Sequence, residues 1–288
     1  MGLSWLRKIA VILLVAVLPL SASVGFAQTD LSELLASIEP ETVQNASAGD
    51  AYASYEVGST LVTTWEEANL RAALPYFKAA LGGAMLSEDD FFLAAASALI
   101  LGRVQTGLSD YRDGLAFAKE AERIARSLTE NPEAPSLVVS AMMDQSLALQ
   151  LLSRYTESLD ILDILMAHYQ KAEPPNTAGM ADIAWNQGMA HEALGEFETA
   201  LEIYGTALEF FREIEGDEGL GVAGLANNIG WVKHRSGDYA VSEIWFRLSL
   251  NIFEKKLGSY AENTGKNYIN LGLALFNLNR PDEAIKIA

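Results

Sequence analysis

The sequence has 288 residues, of which 50% are apolar and 20% are charged, a composition that predicts a folded chain rather than a disordered one. Acidic residues outnumber basic residues 38 to 20, and the formal net charge of −18 argues against nucleic-acid binding and against docking on anionic lipid. The chain has no cysteine and three histidines, which excludes disulfides and thiolate zinc sites and argues against an imidazole-rich metal centre.

Residues 1–27 have the pattern of a secretory signal peptide. Arg7 and Lys8 precede an unbroken run of 12 apolar residues, and small residues follow up to Ala27. We predict cleavage between Ala27 and Gln28 and export to the periplasm or the exterior of a bacterial cell, with no membrane association afterwards. The alternative is an uncleaved anchor, but a membrane span requires about 20 apolar residues.

Residues 28–53 are predicted to form a linker with a short helix, and residues 54–288 a repeat domain with a 42-residue period. The period is clearest at Gly188, Gly230 and Gly272, which follow one another at this spacing. The equivalent positions along the chain are 61, 102, 146, 188, 230 and 272. This ladder predicts about six repeats, of which the last is cut within its second half.

Each repeat carries two apolar stretches with a period of 3.6 residues, separated by a short polar turn such as Gly195–Glu196. No strand pattern accompanies them. We therefore expect an all-α solenoid of antiparallel helix pairs, in which a small residue of the first helix allows the second to approach closely. Tyr204 and Phe246 are expected to fill the gap to the next unit, and Pro75 to lie in the first turn of its helix.

The repeats resemble the tetratricopeptide repeat. That family places a small residue in the first helix, an aromatic residue after the turn, and then alanine, an aromatic residue and alanine in the second helix. Gly188, Phe197, Ala200, Tyr204 and Ala207 match all five positions. The 42-residue spacing is similar to the kinesin-light-chain variety. The resemblance implies a right-handed superhelix with a concave, partner-binding groove.

Two partial motifs do not carry catalysis. Gly219–Gly224 has the spacing of a dinucleotide-binding loop, but it follows a predicted helix instead of a strand. His191 and Glu192 begin a zinc-protease motif, but Gly195 stands where the second histidine is required. We predict no cofactor, no metal site and no enzymatic activity in this chain, although composition alone does not exclude a serine–histidine–aspartate site.

Asparagine recurs on the first helices at Asn186, Asn228 and Asn270, each 42 residues apart. An asparagine amide can donate to and accept from an extended peptide backbone, and such rows resemble the peptide-holding asparagines of groove-binding tetratricopeptide proteins. The predicted partner-binding residues are Trp185, Asn186, Met189, Asn227, Asn228, Trp231, Arg235, Lys266 and Asn270. The same face is predicted to carry Asp144, Leu147, His234, Ile269 and Leu273.

Both the site and the function leave alternatives open. The asparagines can instead bond to neighbouring repeats and set the superhelical pitch, and the tryptophans can belong to the core. The favoured function is a non-enzymatic scaffold for a protein or peptide ligand. Similar exported arrays precede caspase-like CHAT peptidase domains, so the chain can also be the interaction arm of such an enzyme, with the catalytic domain beyond residue 288. A periplasmic assembly factor is a third possibility, and no oligomeric state is predicted.

Overall fold

The computed structural model describes residues 42, 45, 46, 49–87, 90–259 and 261–287. The regular elements in these ranges are helices, as the periodicity predicts. They are α1 (Ala51–Leu61), a 3₁₀ turn (Val62–Thr64), α2 (Glu67–Ala84), α3 (Phe91–Gly107), α4 (Tyr111–Ser127), α5 (Ala134–Leu151), α6 (Tyr155–Gln170), α7 (Thr177–Leu194), α8 (Phe197–Glu215), α9 (Leu220–Arg235), α10 (Tyr239–Leu257), α11 (Glu262–Asn277) and α12 (Pro281–Ile287). The predicted signal peptide and most of the predicted linker lie outside the described residues.

The helices fall into two compact units, which divide between Ile161 and Leu162. Unit 1 comprises α1 to α5 and the first turns of α6, and unit 2 comprises the rest of α6 and α7 to α12. In both units each odd-numbered helix is the first of a pair, here called helix A, and the following even-numbered helix is helix B. None of the helices in the described ranges is long and apolar enough to cross a membrane.

One left-handed residue closes each of five turns between helix A and helix B. Gly195 and Gly237 have φ of 81° there, where glycine carries no steric penalty. The residue after each one donates its backbone N–H to a carbonyl five positions earlier, as Glu196 does to His191 at 2.9 Å. This is the Schellman arrangement, which satisfies carbonyls at a helix end. The equivalent left-handed residues in the other turns are Ser109, Ser153 and Asn279.

The small residue of helix A lies directly beneath an aromatic ring of helix B. A Cβ atom placed at Gly188 would lie 2.5 Å from Cδ1 of Tyr204, and one at Gly230 would lie 2.8 Å from Cδ1 of Phe246. Both rings are fully buried. We predicted that these rings fill the gap to the next unit, whereas the structure places each one over the glycine of its own pair.

Helices α3 and α4 approach so closely that their backbones touch. A Cβ atom placed at Gly102 would lie 3.0 Å from the carbonyl oxygen of Gly114 and 3.2 Å from the backbone nitrogen of Ala118. Backbone atoms cannot move aside as a flexible side chain can. The pair therefore depends on glycine at this position.

Replacing Gly102 by alanine is expected to lower the free energy of unfolding by about 1–3 kcal/mol, the usual cost of overpacking a core. Gly82 in α2 is the matched control, because a Cβ atom placed there meets no described atom within 4 Å. Alanine at Gly82 should stabilise the helix by up to about 1 kcal/mol. Chemical denaturation followed by circular dichroism measures both; equal effects of the two substitutions would contradict the packing argument.

Pro75 was predicted in the first turn of its helix, and this prediction is wrong. Helix α2 begins at Glu67, so the proline lies in its interior. Proline there removes one backbone hydrogen bond, whose acceptor would be the carbonyl of Arg71. Both residues are exposed, so water can reach this carbonyl and the helix continues.

Candidate functional site

Helices α7, α9 and α11 lie side by side in unit 2 and carry the nine predicted partner-binding residues. We call the side of these helices on which Asn227 and Asn270 meet the helix A face. Direct side-chain contacts connect neighbours on it: Trp185 of α7 reaches Gly224 of α9, and Asn227 of α9 bonds to Asn270 of α11. The contacts fix the spacing of the three helices.

The asparagine row is present on this face, and each member already has a partner within the chain. Nδ2 of Asn270 donates to Oδ1 of Asn227 at 2.8 Å, across neighbouring repeats. Asn186 donates to the carbonyl of Asp182 in its own helix at 2.8 Å. Asn228 hydrogen-bonds the hydroxyl of Tyr204. The bond between Asn227 and Asn270 supports the pitch-setting alternative at that point. An amide offers two donors and two acceptor positions, so one bond does not exhaust it.

Polar contacts between successive A helices recur at an offset of 43 residues, one more than the repeat length. Asn227 with Asn270 is the first such pair, and His234 with Asn277 is the second, with 3.0 Å between Nε2 and Nδ2. Arg235 approaches Glu192 at 3.6 Å with the same offset. In these contacts α7, α9 and α11 are therefore each staggered by one residue relative to the next.

The structure places Trp185 in the packing between repeats. Its ring stands edge-on to Phe211 with centroids 5.6 Å apart, and it covers Gly224, where a Cβ atom would lie 2.3 Å from the ring. The indole N–H is buried and has no hydrogen-bond partner among the described residues. These contacts match the core alternative for this tryptophan rather than an exposed anchor.

Trp231 is half-buried and packs against the apolar cluster formed by α10 and α11. Its ring stacks in parallel with that of His234, with centroids 5.4 Å apart. His234 in turn contacts the ring of Tyr239 and the amide of Asn277. The two stacked rings lie at the border between the helix A face and the apolar core.

A half-buried polar network connects three helices at the end of α7. The hydroxyl of Tyr204 donates to Oε2 of Glu192 at 2.9 Å, and Asn228 bonds to the same hydroxyl. Burial raises the pKa of Glu192, against the lowering effects of Tyr204 and Arg235. Burial and the adjacent Glu192 carboxylate both raise the pKa of Tyr204. Arg235 also lies over the ring of Phe197, 4.8 Å from its centroid.

The most accessible part of the helix A face lies on α11. Ile269 is 65% exposed and Leu273 is 41% exposed, although both are large apolar side chains. Lys266 is exposed and pairs with Glu262 at 2.6 Å in its own helix. Met189 is half-buried against the apolar cluster of unit 2. The face thus combines amides, one lysine and exposed aliphatic side chains.

Asp144, predicted on the same kind of face in unit 1, is buried. It is 4% exposed and accepts from Nε of Arg103 at 2.7 Å, while Arg103 itself is 6% exposed. Oδ1 of Asp144 is buried and finds no hydrogen-bond partner among the described residues. Burial raises the pKa of Asp144 to about 6, against the lowering effect of Arg103. Asp144 therefore connects α3 and α5 through a buried ion pair. Leu147, on the same helix, is half-buried.

The two partial motifs have ordinary structural positions. Gly219 caps the start of α9, and the preceding element is the helix α8, as the sequence predicts. His191 lies near the end of α7 and pairs with Glu196 at 2.5 Å. Within the described residues, no group of three or more histidine, aspartate and glutamate side chains could hold a metal ion.

Sequence reasoning missed three contributors to these contacts. Arg103, Glu192 and Asn277 each pair with a residue about one repeat away. The repeat length could have identified them. Polar residues 41–43 positions apart on successive A helices are close enough to form a hydrogen bond or an ion pair.

Comparison with known proteins places the chain among helical repeats. The family model of the tetratricopeptide repeat matches residues 179–255 and 221–288. No curated protein sequence matches the chain. Among solved structures, the chain is similar to the apo form of RapI, with a TM-score of 0.67 and 18% identity over 85% of this chain and 66% of that one.

Two further structures show the same fold. One is NprR, described as a quorum sensor from B. thuringiensis, in complex with its cognate peptide NprX, with a TM-score of 0.60 and 14% identity over 89% of this chain and 74% of that one. The other is a kinesin light chain with nearly identical TPR-like repeats from Podosopora anserina, with a TM-score of 0.54 and 13% identity over 66% of this chain and 89% of that one. The chain thus matches the tetratricopeptide repeat over residues 179–288, and its described helices share the fold of tetratricopeptide-like and kinesin-light-chain repeats.

Proposed function

We propose that the chain is an exported, non-enzymatic scaffold that binds a peptide or protein segment on the helix A face of unit 2. The proposal rests on one observation: this surface combines hydrogen-bonded asparagine side chains with exposed aliphatic side chains. Ile269 and Leu273 would supply apolar burial, and Asn227 and Asn270 would bond to the partner backbone. The tetratricopeptide fold is typically a non-catalytic interaction scaffold.

Similarity to NprR supports a peptide as the ligand class. That protein was solved with its cognate peptide and shares this fold at 14% identity. The support is an analogy at the level of the fold, so the site must be tested on this chain. Export is proposed from residues 1–27 alone. The alternative role, as the interaction arm of a larger CHAT peptidase, would use the same surface.

Replacing Ile269 by aspartate is expected to abolish partner capture by the full chain, because a charge would then stand where the partner buries apolar surface. Ile244 in α10 is the matched control: it is 66% exposed, against 65% for Ile269, and it lies on helix B of the same unit. Both substitutions should leave the helical content unchanged.

The measurement is affinity capture from the envelope fraction of the source organism, quantified by mass spectrometry for the wild-type chain and the two variants. A partner lost with Ile269→Asp and retained with Ile244→Asp supports binding on the helix A face. Equal capture by the two folded variants would contradict the proposal.

A further inference from the structure

Helix α3 is buried on every side. Each residue from 93 to 105 is buried, a stretch of about three and a half helical turns. The sequence agrees with this burial, because apolar residues surround the helix instead of forming one stripe. The A helices α7 and α9 of unit 2 differ from α3, since each keeps several half-buried side chains on the helix A face.

The buried surface of α3 includes the positions that carry predicted partner-binding residues in unit 2. Gly102 and Gly230 hold equivalent places, because each one faces the residue 16 positions later in its helix B. Counted from these glycines, the residues of α3 that match Asn227, Asn228 and Trp231 of α9 are Leu99, Ile100 and Arg103. The three residues of α3 are buried, whereas the three of α9 are half-buried. We call this side of α3 the unit 1 face.

The described helices that pack on α3 do not explain this difference. Its main contacts are with α2, α4 and α5, which are the preceding helix B, its own helix B and the next helix A. Helix α9 has the same three kinds of neighbour in α8, α10 and α11. With equivalent neighbours, α9 keeps half-buried side chains where α3 has buried ones. A further segment of the chain must therefore cover the unit 1 face.

The chain just before α1 packs onto unit 1. Ala46 is buried and belongs to the same apolar cluster as Leu99 and Ile100. The carbonyl of Ala46 accepts hydrogen bonds from the backbone N–H of Gly49 at 3.1 Å and from the hydroxyl of Ser54 at 3.5 Å. The residues that precede Ala46 therefore start from the core to which α3 belongs.

Residues 31–38, which lie outside the described ranges, have the sequence pattern of a segment that docks in an apolar groove. Four apolar residues follow the spacing i, i+3, i+4 and i+7 of one helix side: Leu31, Leu34, Leu35 and Ile38. The eight positions from Ile38 to Ala46 span up to about 26 Å when extended, so the segment can reach α3. It also follows the predicted cleavage site and would remain in the exported chain.

We propose that residues 31–38 cover the unit 1 face with their apolar side against Leu99 and Ile100, so that the chain occupies a groove of its own. The four apolar side chains that recur at helical spacing are buried there. The proposal concerns unit 1 and does not depend on the proposed function of unit 2. A partner that binds the unit 1 face must first displace this segment.

The test labels a single thiol, because the chain has no cysteine of its own. Ile100→Cys places the thiol on the unit 1 face, and Asn186→Cys places it at the equivalent position of α7, which is half-buried. We expect a maleimide to label Ile100→Cys at least about tenfold more slowly than Asn186→Cys in the folded full chain. Adding Leu34→Asp and Leu35→Asp to Ile100→Cys should accelerate labelling about tenfold or more, because the charges oppose burial of the segment.

Ser32→Asp with Ser37→Asp is the matched control, because it adds the same two charges on the polar side of the segment. A synthetic peptide of residues 28–41, added to the chain with both leucine substitutions, should restore slow labelling, which an unfolded unit could not do. Fast labelling of Ile100→Cys alone, equal rates in the two charge variants, or no protection by the peptide would each overturn the proposal. Labelling that becomes fast when only residues 1–27 are removed would also overturn it, because the predicted signal peptide would then be the cover.

Discussion

Replacing Tyr204 by alanine is expected to lower the free energy of unfolding by about 3–5 kcal/mol, the usual cost of removing a fully buried aromatic side chain. The ring lies against Gly188, where a Cβ atom would be only 2.5 Å away, and glycine has no side chain to fill the space that the ring would leave. The substitution also removes the hydroxyl that bonds to the half-buried carboxylate of Glu192. Urea denaturation followed by circular dichroism measures the change in the midpoint.

Tyr204→Phe separates the two contributions. It keeps the ring over Gly188 and removes only the hydroxyl, which leaves Glu192 and Asn228 without this partner. We expect it to cost about 1–3 kcal/mol, the range for leaving a buried polar group unsatisfied. If alanine proved no more costly than phenylalanine, the ring would not be the element that holds α7 and α8 together.

Replacing Arg103 by methionine is expected to lower the free energy of unfolding by about 3–5 kcal/mol at pH 8, because it leaves the buried Asp144 carboxylate without its counter-ion. The loss should be smaller at pH 5, where the carboxyl of the variant can take up a proton. Denaturation of both proteins at the two pH values measures the difference.

The direction of the pH dependence follows from the pKa of Asp144, which burial raises from 3.8 to about 6 in the folded chain. The folded state therefore binds this proton more tightly than the unfolded state. Stability from this group is fully present below about pH 4 and is lost as the pH rises through 6. Without the Arg103 guanidinium the folded pKa rises further, so the loss in the variant extends to higher pH.

The double variant Arg103→Met, Asp144→Leu is the control, because it removes both charges. Replacing a complete buried ion pair by apolar groups is often neutral or stabilising. We expect its stability at pH 8 to lie within about 1 kcal/mol of the wild type, with the pH dependence of this site removed. A double variant as unstable as Arg103→Met would show that lost packing, and not the unpaired charge, causes the effect.

The helix pairs were predictable because each depends on local information. The 3.6-residue period locates the helices, and the polar turns locate their ends, as at Gly195 and Gly237. The requirement for glycine at positions 188 and 230 was also visible as a repeat of small residues. These features depend on neighbours within one pair, which the sequence spacing specifies.

Contacts between pairs were harder to predict. Asp144 was placed on an open face because its partner, Arg103, lies 41 positions away on a helix whose contact with α5 the sequence does not reveal. Asn227, instead of Asn228, bonds to Asn270 because successive A helices are staggered by one residue. Pro75 was misplaced because the start of α2 depends on a turn with no strong sequence signal.

The staggered contacts differ in chemistry from one pair of A helices to the next, which favours packing on the correct neighbour. Similar repeats can pack on the wrong copy, a characteristic failure of repeat proteins. The same pair of positions holds Glu192 with Arg235 between α7 and α9, but His234 with Asn277 between α9 and α11. A chain that packed α11 directly on α7 would set Glu192 against Asn277 and leave Arg235 without that carboxylate. Two pairs of different chemistry at one position thus distinguish the correct neighbour from the next one along the chain.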